Sequence, residues 1–125
     1  MKNGKEIDEY GTEYWYKDDA LHREDGPAVI SPFGDSFWYK NGIHHRDDGP
    51  AVIWNDYSLE WFLDGLRHRE DGPAVVYKKA VNAPNEYWLH DELLSFEEWL
   101  ERISDKNKLL FYFQDTLRLL CQSLL

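Results

Sequence analysis

Histidine, arginine and carboxylate side chains recur in one short motif that the chain carries three times. The motif reads LHREDGPA at 21–28, HHRDDGPA at 44–51 and RHREDGPA at 67–74. A His and an Asp three residues apart are groups that a metal-dependent hydrolase uses as ligand and base. We refer below to the motif histidines (His22, His45, His68), motif arginines (Arg23, Arg46, Arg69), outer acids (Glu24, Asp47, Glu70) and motif aspartates (Asp25, Asp48, Asp71).

The recurrence of this motif favours a structural role over a catalytic one. A catalytic set normally occurs once, whereas a motif in every repeat solves a problem that every repeat has. Equivalent side chains in neighbouring repeats of two strands lie about 9–10 Å apart, too far to share one ion with ligands at about 2.0–2.2 Å. We expect the motif aspartates to accept from turn amides and the motif arginines to pair with carboxylates of the adjacent repeat. A metal site within one copy stays as an alternative.

The elements around the motif follow a period of 23 residues, as Trp15, Trp38 and Trp61 show. A β-branched AVI-type run leaves each motif, an aromatic strand follows, and Asn-Gly at 41–42 or Asp-Gly at 64–65 then predicts a tight hairpin. Because side chains alternate along a strand, Trp88 should join these three on one face after a four-residue insertion. We expect that tryptophan row to be core on at least one side.

The sequence therefore predicts a mainly β fold with C-terminal α. Residues 1–94 should form a single-layer antiparallel β-meander of 23-residue hairpin repeats, with copies near 13–35, 36–58, 59–85 and 86–94. Residues 95–125 should cap it as one or two helices that pack on the sheet.

Two helix starts are predicted in this C-terminal segment. Ser95 with Glu98 forms a capping box, and Ser104 with Asp105 begins a longer helix. An apolar arc on the second helix should cover the sheet; its members are Leu109, Leu110, Phe113, Leu117, Leu120, Cys121 and Leu124. A second apolar patch, formed by Phe111, Tyr112 and Leu119, belongs either to a wider buried face or to a partner contact.

Composition limits the classes of partner. The formal net charge of −10 disfavours direct binding to nucleic acid or to an anionic membrane. The single cysteine excludes an internal disulfide and a multi-cysteine metal site, and nothing in the sequence points to a cofactor. With no signal peptide or membrane span in view, we expect a cytoplasmic protein, in the host cytoplasm if the gene is viral.

The succession of an aromatic strand, Asn/Asp-Gly and DGPAVI resembles the MORN-repeat variant family over roughly residues 3–94. HREDGPA copies of this kind are found in phage, giant-virus and bacterial proteins. The resemblance implies a single-layer β-array that serves as an interaction platform, antitoxin-like in some bacterial members, and it transfers no catalytic residue. The first copy departs from the pattern, since it has Asp18-Asp19 where later copies have Asn41-Gly42 and Asp64-Gly65.

These observations predict a non-enzymatic protein-binding module and favour, within that class, a phage- or mobile-element-encoded acidic inhibitor of a host protein. Residues 1–77 hold 16 acids and 8 Lys or Arg, so the array carries −8 and suits a basic partner surface. Such acid rows could also imitate a nucleic acid backbone. The predicted contact residues are Asp18, Asp19, Glu24, Asp47, Glu70, Phe111, Tyr112 and Leu119.

Two alternatives remain at this level. One is a structural homo-oligomeric repeat protein, with a homodimer through the C-terminal helix. The other is a metal-dependent hydrolase that uses one His/Asp set of the motif.

Overall fold

The computed structural model of the chain describes residues 1–78 and 82–123. In these residues the chain forms fourteen short strands followed by two helices. The strands are β1 (Gly4–Ile7), β2 (Glu13–Lys17), β3 (Ala20–Leu21), β4 (Val29–Ile30), β5 (Ser36–Phe37), β6 (Tyr39–Lys40), β7 (Ile43–His44), β8 (Val52–Ile53), β9 (Leu59–Glu60), β10 (Phe62–Leu63), β11 (Leu66–Arg67), β12 (Val75–Val76), β13 (Tyr87–Leu89) and β14 (Glu92–Leu94). The helices are α1 (Phe96–Arg102) and α2 (Asp105–Ser123).

The strands pair antiparallel in a meander. The main sheet has the order β1-β2-β4-β5-β8-β9-β12, with β3 paired to β2. Three two-stranded hairpins follow the same path, formed by β6 with β7, β10 with β11 and β13 with β14. The predicted fold class, mainly β with antiparallel meander pairing and C-terminal helices, is confirmed.

The aromatic segments of the second and third copies are divided at their tryptophans, whereas in the first copy β2 continues through Trp15. In the second copy the Trp38 amide donates to the Ala51 carbonyl at 2.7 Å, and the Trp38 carbonyl accepts from the His45 amide at 3.2 Å. The residues before Trp38 therefore pair within the main sheet, and those after it form the β6–β7 hairpin. Trp15 and Trp61 make the equivalent pair of bonds in their copies.

The hairpins close with two-residue turns whose backbone is left-handed at both positions. Asn41 and Gly42 have φ of 50° and 82°, as a type I′ turn requires. The Asp64-Gly65 turn has the same conformation, so both hairpin predictions are confirmed. Asp18 and Asp19 adopt it as well, at φ of 50° and 68°, although neither is a glycine.

The core of the array is thin and is built from small residues. Ala28, Ala51 and Ala74 are fully buried at the end of each motif, immediately before β4, β8 and β12. The tryptophans, in contrast, are only half-buried. The prediction that the tryptophan row is core is therefore wrong, because Arg23, Arg46 and Arg69 cover the rings of Trp15, Trp38 and Trp61.

The last hairpin is covered by α1, which begins at the predicted capping box. Ser95 Oγ accepts from the Glu98 amide at 3.1 Å and lies 3.1 Å from a Glu98 carboxylate oxygen. Trp99 is fully buried, and it packs in a cluster with Leu89, Leu94 and Ile103. Helix α1 therefore supplies a compact apolar core at the C-terminal end of the array.

The fourth copy lies one residue away from its predicted register. The Trp88 carbonyl accepts from the Arg69 amide, as the Phe62 carbonyl accepts from the Arg46 amide one copy earlier. Trp88 is thus equivalent to Phe62, and Tyr87 rather than Trp88 continues the tryptophan row. Since Tyr87 lies 26 positions after Trp61, the insertion is three residues long, not four; residues 79–81 of it lie outside the described chain.

The apolar arc of α2 faces solvent. Leu109, Leu110, Phe113, Leu117 and Leu120 are exposed, with fractions between 46% and 72%. The prediction that this arc covers the sheet is therefore wrong for these residues, because Trp99 and Ile103 already fill the space over the last hairpin. The side chain of Cys121 and all of Leu124 lie outside the described part of the chain.

Candidate protein-binding grooves

The motif arginines lie flat on the tryptophans of their own copies. Arg46 Cζ lies 4.0 Å from the centre of the Trp38 ring, a cation–π distance. Arg46 Nε donates to Asp48 at 2.9 Å, and a terminal nitrogen donates to the Pro50 carbonyl at 3.1 Å. The first and third copies repeat this arrangement, with ring distances of 4.1 and 3.8 Å.

These contacts correct two predicted roles. The main partner of each motif aspartate is the arginine two residues earlier, and that hydrogen bond lowers the pKa of Asp25 and Asp48. The arginine pairs within its own copy instead of with the adjacent repeat. The structural interpretation of the motif is consistent with this closed set of contacts inside each copy.

The motif glycine leaves room for the guanidinium group. A Cβ added at Gly49 would lie 3.0 Å from Arg46 Cζ, and one at Gly26 would lie 2.8 Å from Arg23 Cζ. Neither glycine has a positive φ. The glycine is thus explained by the close approach of the arginine.

The motif histidines link each copy to the next. His22 Nδ1 accepts from the Asn41 amide in the following hairpin turn at 3.0 Å. Its neutral ring therefore carries the proton on Nε2, which lies 2.8 Å from the outer acid Glu24. The hydrogen bond from His22, with the charge of Lys40, lowers the pKa of Glu24. His45 makes the same two contacts, to the Asp64 amide and to Asp47.

Two open grooves lie between successive copies of the motif. The first groove, of about 410 Å³, lies between the motifs of copies one and two and includes Trp38 and Lys40. The second groove, of about 520 Å³, lies between the motifs of copies two and three and includes Trp61. Asp47 lines both grooves.

The carboxylates of these grooves point to solvent, while their arginines are engaged; Glu70 is the exception among the outer acids, since it is 41% exposed and accepts from the Ser104 amide at 3.3 Å. The side chains of Glu24 and Asp47 are 70% and 78% exposed, whereas that of Arg46 is 20% exposed. Four carboxylates line each groove, against three Lys or Arg in the first and two in the second. The grooves therefore present an excess of accessible negative charge.

The predicted contact residues fall in three places. The structure brings the outer acids Glu24, Asp47 and Glu70 together along the grooves. Asp18 and Asp19 instead form the hairpin turn of the first copy, where the Asp18 amide donates to Asn3 and Asp19 accepts from the Lys2 amide.

Of the predicted apolar patch on α2 (Phe111, Tyr112 and Leu119), the structure describes only the side chain of Tyr112. Tyr112 is 54% exposed and lies with Leu100 of α1 and Lys108 around a shallow cavity of about 340 Å³. The side chains of Phe111 and Leu119 lie outside the described part of the chain. The structure thus places Tyr112 beside α1, while the arc that was predicted to be buried is exposed to a similar degree.

Sequence reasoning missed the tryptophans as groove residues. Trp38 and Trp61 were assigned to packing, yet each lines a groove beside the outer acids. The signal was present in the spacing, because an arginine eight residues after each tryptophan recurs in all three copies. If the hairpin turn between the two residues is tight, this spacing predicts that the tryptophan and the arginine lie on the same face.

Two general properties accompany this geometry. Among the residues that the structure describes, no three His, Cys, Asp or Glu side chains come together as a metal ion would need. Neither helix, over its described residues, has the length and apolar content required to cross a bilayer.

Comparison of the chain with protein-family models, with curated proteins and with solved structures finds no match.

Proposed function

We propose that this protein is a non-enzymatic protein-binding module whose two grooves receive a basic segment of a partner protein. The observation that supports this proposal is the repetition of one groove type between successive motif copies, with exposed carboxylates in each. Repeated grooves suit an elongated partner, whereas a single pocket would suit a small ligand.

The charges support a basic partner. The motif arginines are held by tryptophan rings, motif aspartates and proline carbonyls, so the outer acids dominate the accessible charge. Exposed charges of this kind speed the encounter with an oppositely charged surface. The −8 of residues 1–77 adds a long-range field of the same sign.

The wider biological setting belongs to the same proposal. The resemblance of the motif to MORN-repeat variants of phage, giant-virus and bacterial proteins favours an acidic inhibitor of a host protein, encoded by a phage or mobile element and acting in the cytoplasm. Rows of outer acids at a regular spacing also suit imitation of a nucleic acid backbone in a basic groove of that protein. Asp18 and Asp19 extend the acidic surface at the hairpin turn of the first copy.

The test uses the partner recovered by affinity capture from the natural host. Association and dissociation rates are measured at several salt concentrations for the parent, for Asp47→Asn and for Glu9→Gln. Asp47 lines both grooves, while Glu9 is exposed outside them, so the two variants change the net charge equally.

We expect the association rate to fall as salt rises, because screening shortens from about 8 Å at physiological ionic strength to about 3 Å at 1 M. Asp47→Asn should weaken binding several-fold more than Glu9→Gln does. Equal effects of the two variants, or an association rate that is independent of salt, would reject the acidic grooves as the binding site.

A second candidate function, a structural homo-oligomer, is favoured by the exposed arc of α2. Leu109, Phe113 and Leu117 form an apolar surface that a second α2 helix could cover. Light scattering of the parent and of Phe113→Asp tests this function. A monomeric parent over the micromolar range would exclude it, and a dimer that Phe113→Asp dissociates would support it.

A further inference from the structure

The grooves repeat at a distance that the sheet order fixes. Strands β5 and β9, which precede Trp38 and Trp61, are two steps apart in the main sheet, with β8 between them. Neighbouring strands lie about 4.7–4.9 Å apart, so equivalent residues of successive copies are about 9.5 Å apart. The outer acids Glu24, Asp47 and Glu70 should therefore follow one another at about this pitch.

A partner segment can match this pitch in only a few backbone conformations. A polyproline II helix has three residues per turn and rises about 3.1 Å per residue, which gives about 9.3 Å per turn. Residues i, i+3 and i+6 then lie on one side, in step with three outer acids. In a β-strand, residues on one face repeat about every 6.6 Å or 13 Å, and an α-helical turn rises only about 5.4 Å.

The groove residues fit the chemistry of such a segment. Trp38 and Tyr39 line the first groove and Trp61 and Phe62 the second, and proline-rich segments dock on aromatic-lined grooves. Asp47 and Glu24 supply carboxylates in the first groove, and Asp47 and Glu70 in the second. A Lys or Arg at every third position would thus meet one outer acid per turn.

We propose that the grooves bind a polyproline II segment of the partner that carries Lys or Arg at every third residue. This inference rests on the proposed function and specifies the partner's bound segment. The three basic side chains bind as one linked unit, so the second and third contacts form at a high effective concentration. Affinity then depends on the spacing of the basic residues as well as on their number.

The experiment compares two peptides of identical composition by fluorescence anisotropy with the full chain. In the spaced peptide, Lys-Pro-Ala is repeated four times, and in the control peptide the same residues are arranged with the four lysines adjacent. We expect the spaced peptide to bind at least tenfold more tightly at physiological salt. Asp47→Asn should weaken its binding about fivefold or more, and Glu9→Gln less than twofold.

The fold of each variant is checked by its melting temperature, which should match that of the parent. Asp47 is 78% exposed and its hydrogen bond is to His45, so its amide should be tolerated.

Equal affinities for the two peptides, with Asp47→Asn weakening both, would overturn the spacing while the acidic grooves stand as the binding site. Binding of neither peptide, with a captured partner that still loses affinity through Asp47→Asn, would also overturn the polyproline II segment alone. If Asp47→Asn changes neither peptide binding nor partner binding, both the segment and the proposed function fail.

Discussion

Replacing Gly49 with alanine tests whether the motif glycine exists to admit the guanidinium of Arg46. The new Cβ would lie 3.0 Å from Arg46 Cζ and 3.2 Å from its Nε. At these distances the guanidinium must move, because the Cβ is fixed to the backbone. A shift of a few tenths of an ångström weakens the hydrogen bond to the Pro50 carbonyl and the contact with the Trp38 ring.

The expected loss follows from these two contacts. A hydrogen bond from a charged group contributes about 1.5–3 kcal/mol, and a partly exposed cation–π contact about 0.5–1 kcal/mol. Alanine returns about 0.4–1 kcal/mol by restricting the unfolded chain. Because the Arg46 side chain is 20% exposed, solvent screening reduces the contribution of its hydrogen bond. Complete loss of both contacts would lower the free energy of unfolding by about 2 kcal/mol, so the partial loss expected here should lower it by about 1 kcal/mol, or roughly 4 °C in melting temperature.

The decisive assay is a double-mutant cycle with Arg46→Ala, read by urea or thermal unfolding. Once the arginine is removed, the added Cβ meets no guanidinium, and Gly49→Ala should become neutral or stabilise by up to about 1 kcal/mol. The same loss from Gly49→Ala in both backgrounds would refute this explanation of the glycine.

Two further predictions concern backbone conformation and pH. Tyr57 has a left-handed φ of 69° at the position that Gly34 occupies one copy earlier. Glycine would remove the cost of about 1–2 kcal/mol that a non-glycine residue has in this conformation, but it would add about 0.5–1 kcal/mol of chain entropy lost on folding. Tyr57→Gly should therefore raise the free energy of unfolding by about 0.5–1 kcal/mol, and a lower urea midpoint would contradict this. Burial lowers the pKa of His44 and His68. In the unfolded chain the histidine pKa is about 6.5, so as the pH falls the unfolded chain takes up these protons before the folded chain does. The contribution of the two neutral histidines to stability should therefore be fully present above about pH 6.5 and be lost as the pH falls below it. Leucine occupies the equivalent position of the first copy, at Leu21. His44→Leu should therefore reduce the change in melting temperature between pH 5 and pH 8, and an unchanged dependence on pH would show that His44 does not contribute to it.

The C-terminal end of the array shows what a repeat pattern alone leaves undecided. A shift of one residue moves every side chain of a strand to the other face, and Tyr87 and Trp88 are both aromatic. Tyr87 takes the tryptophan row because Trp99 lies 4.8 Å from its ring and fills the space beyond the last motif. That contact joins residues twelve positions apart through the fold of α1, and no local pattern predicts it.

Local chemistry explains what the sequence predicted correctly. Asn-Gly and Asp-Gly turns, the Ser95–Glu98 capping box and the alternation of strand residues depend on neighbours a few positions away. These features predicted the antiparallel meander, both hairpin turns and the start of α1. The outer acids also belong to the motif itself, and their role as contact residues stays a prediction.

The tertiary structure decided the partners of the side chains and the faces that are covered. Arg46 contacts both Asp48 and Trp38. Its side chain is long enough to reach several nearby carboxylates, so the sequence alone does not determine which of them it pairs with. The arc containing Phe113 has the spacing of a buried face, yet it is exposed because α1 occupies the adjoining hairpin first. Apolar periodicity determines which residues of a helix share a side, whereas the space left by the rest of the fold determines whether that side is covered.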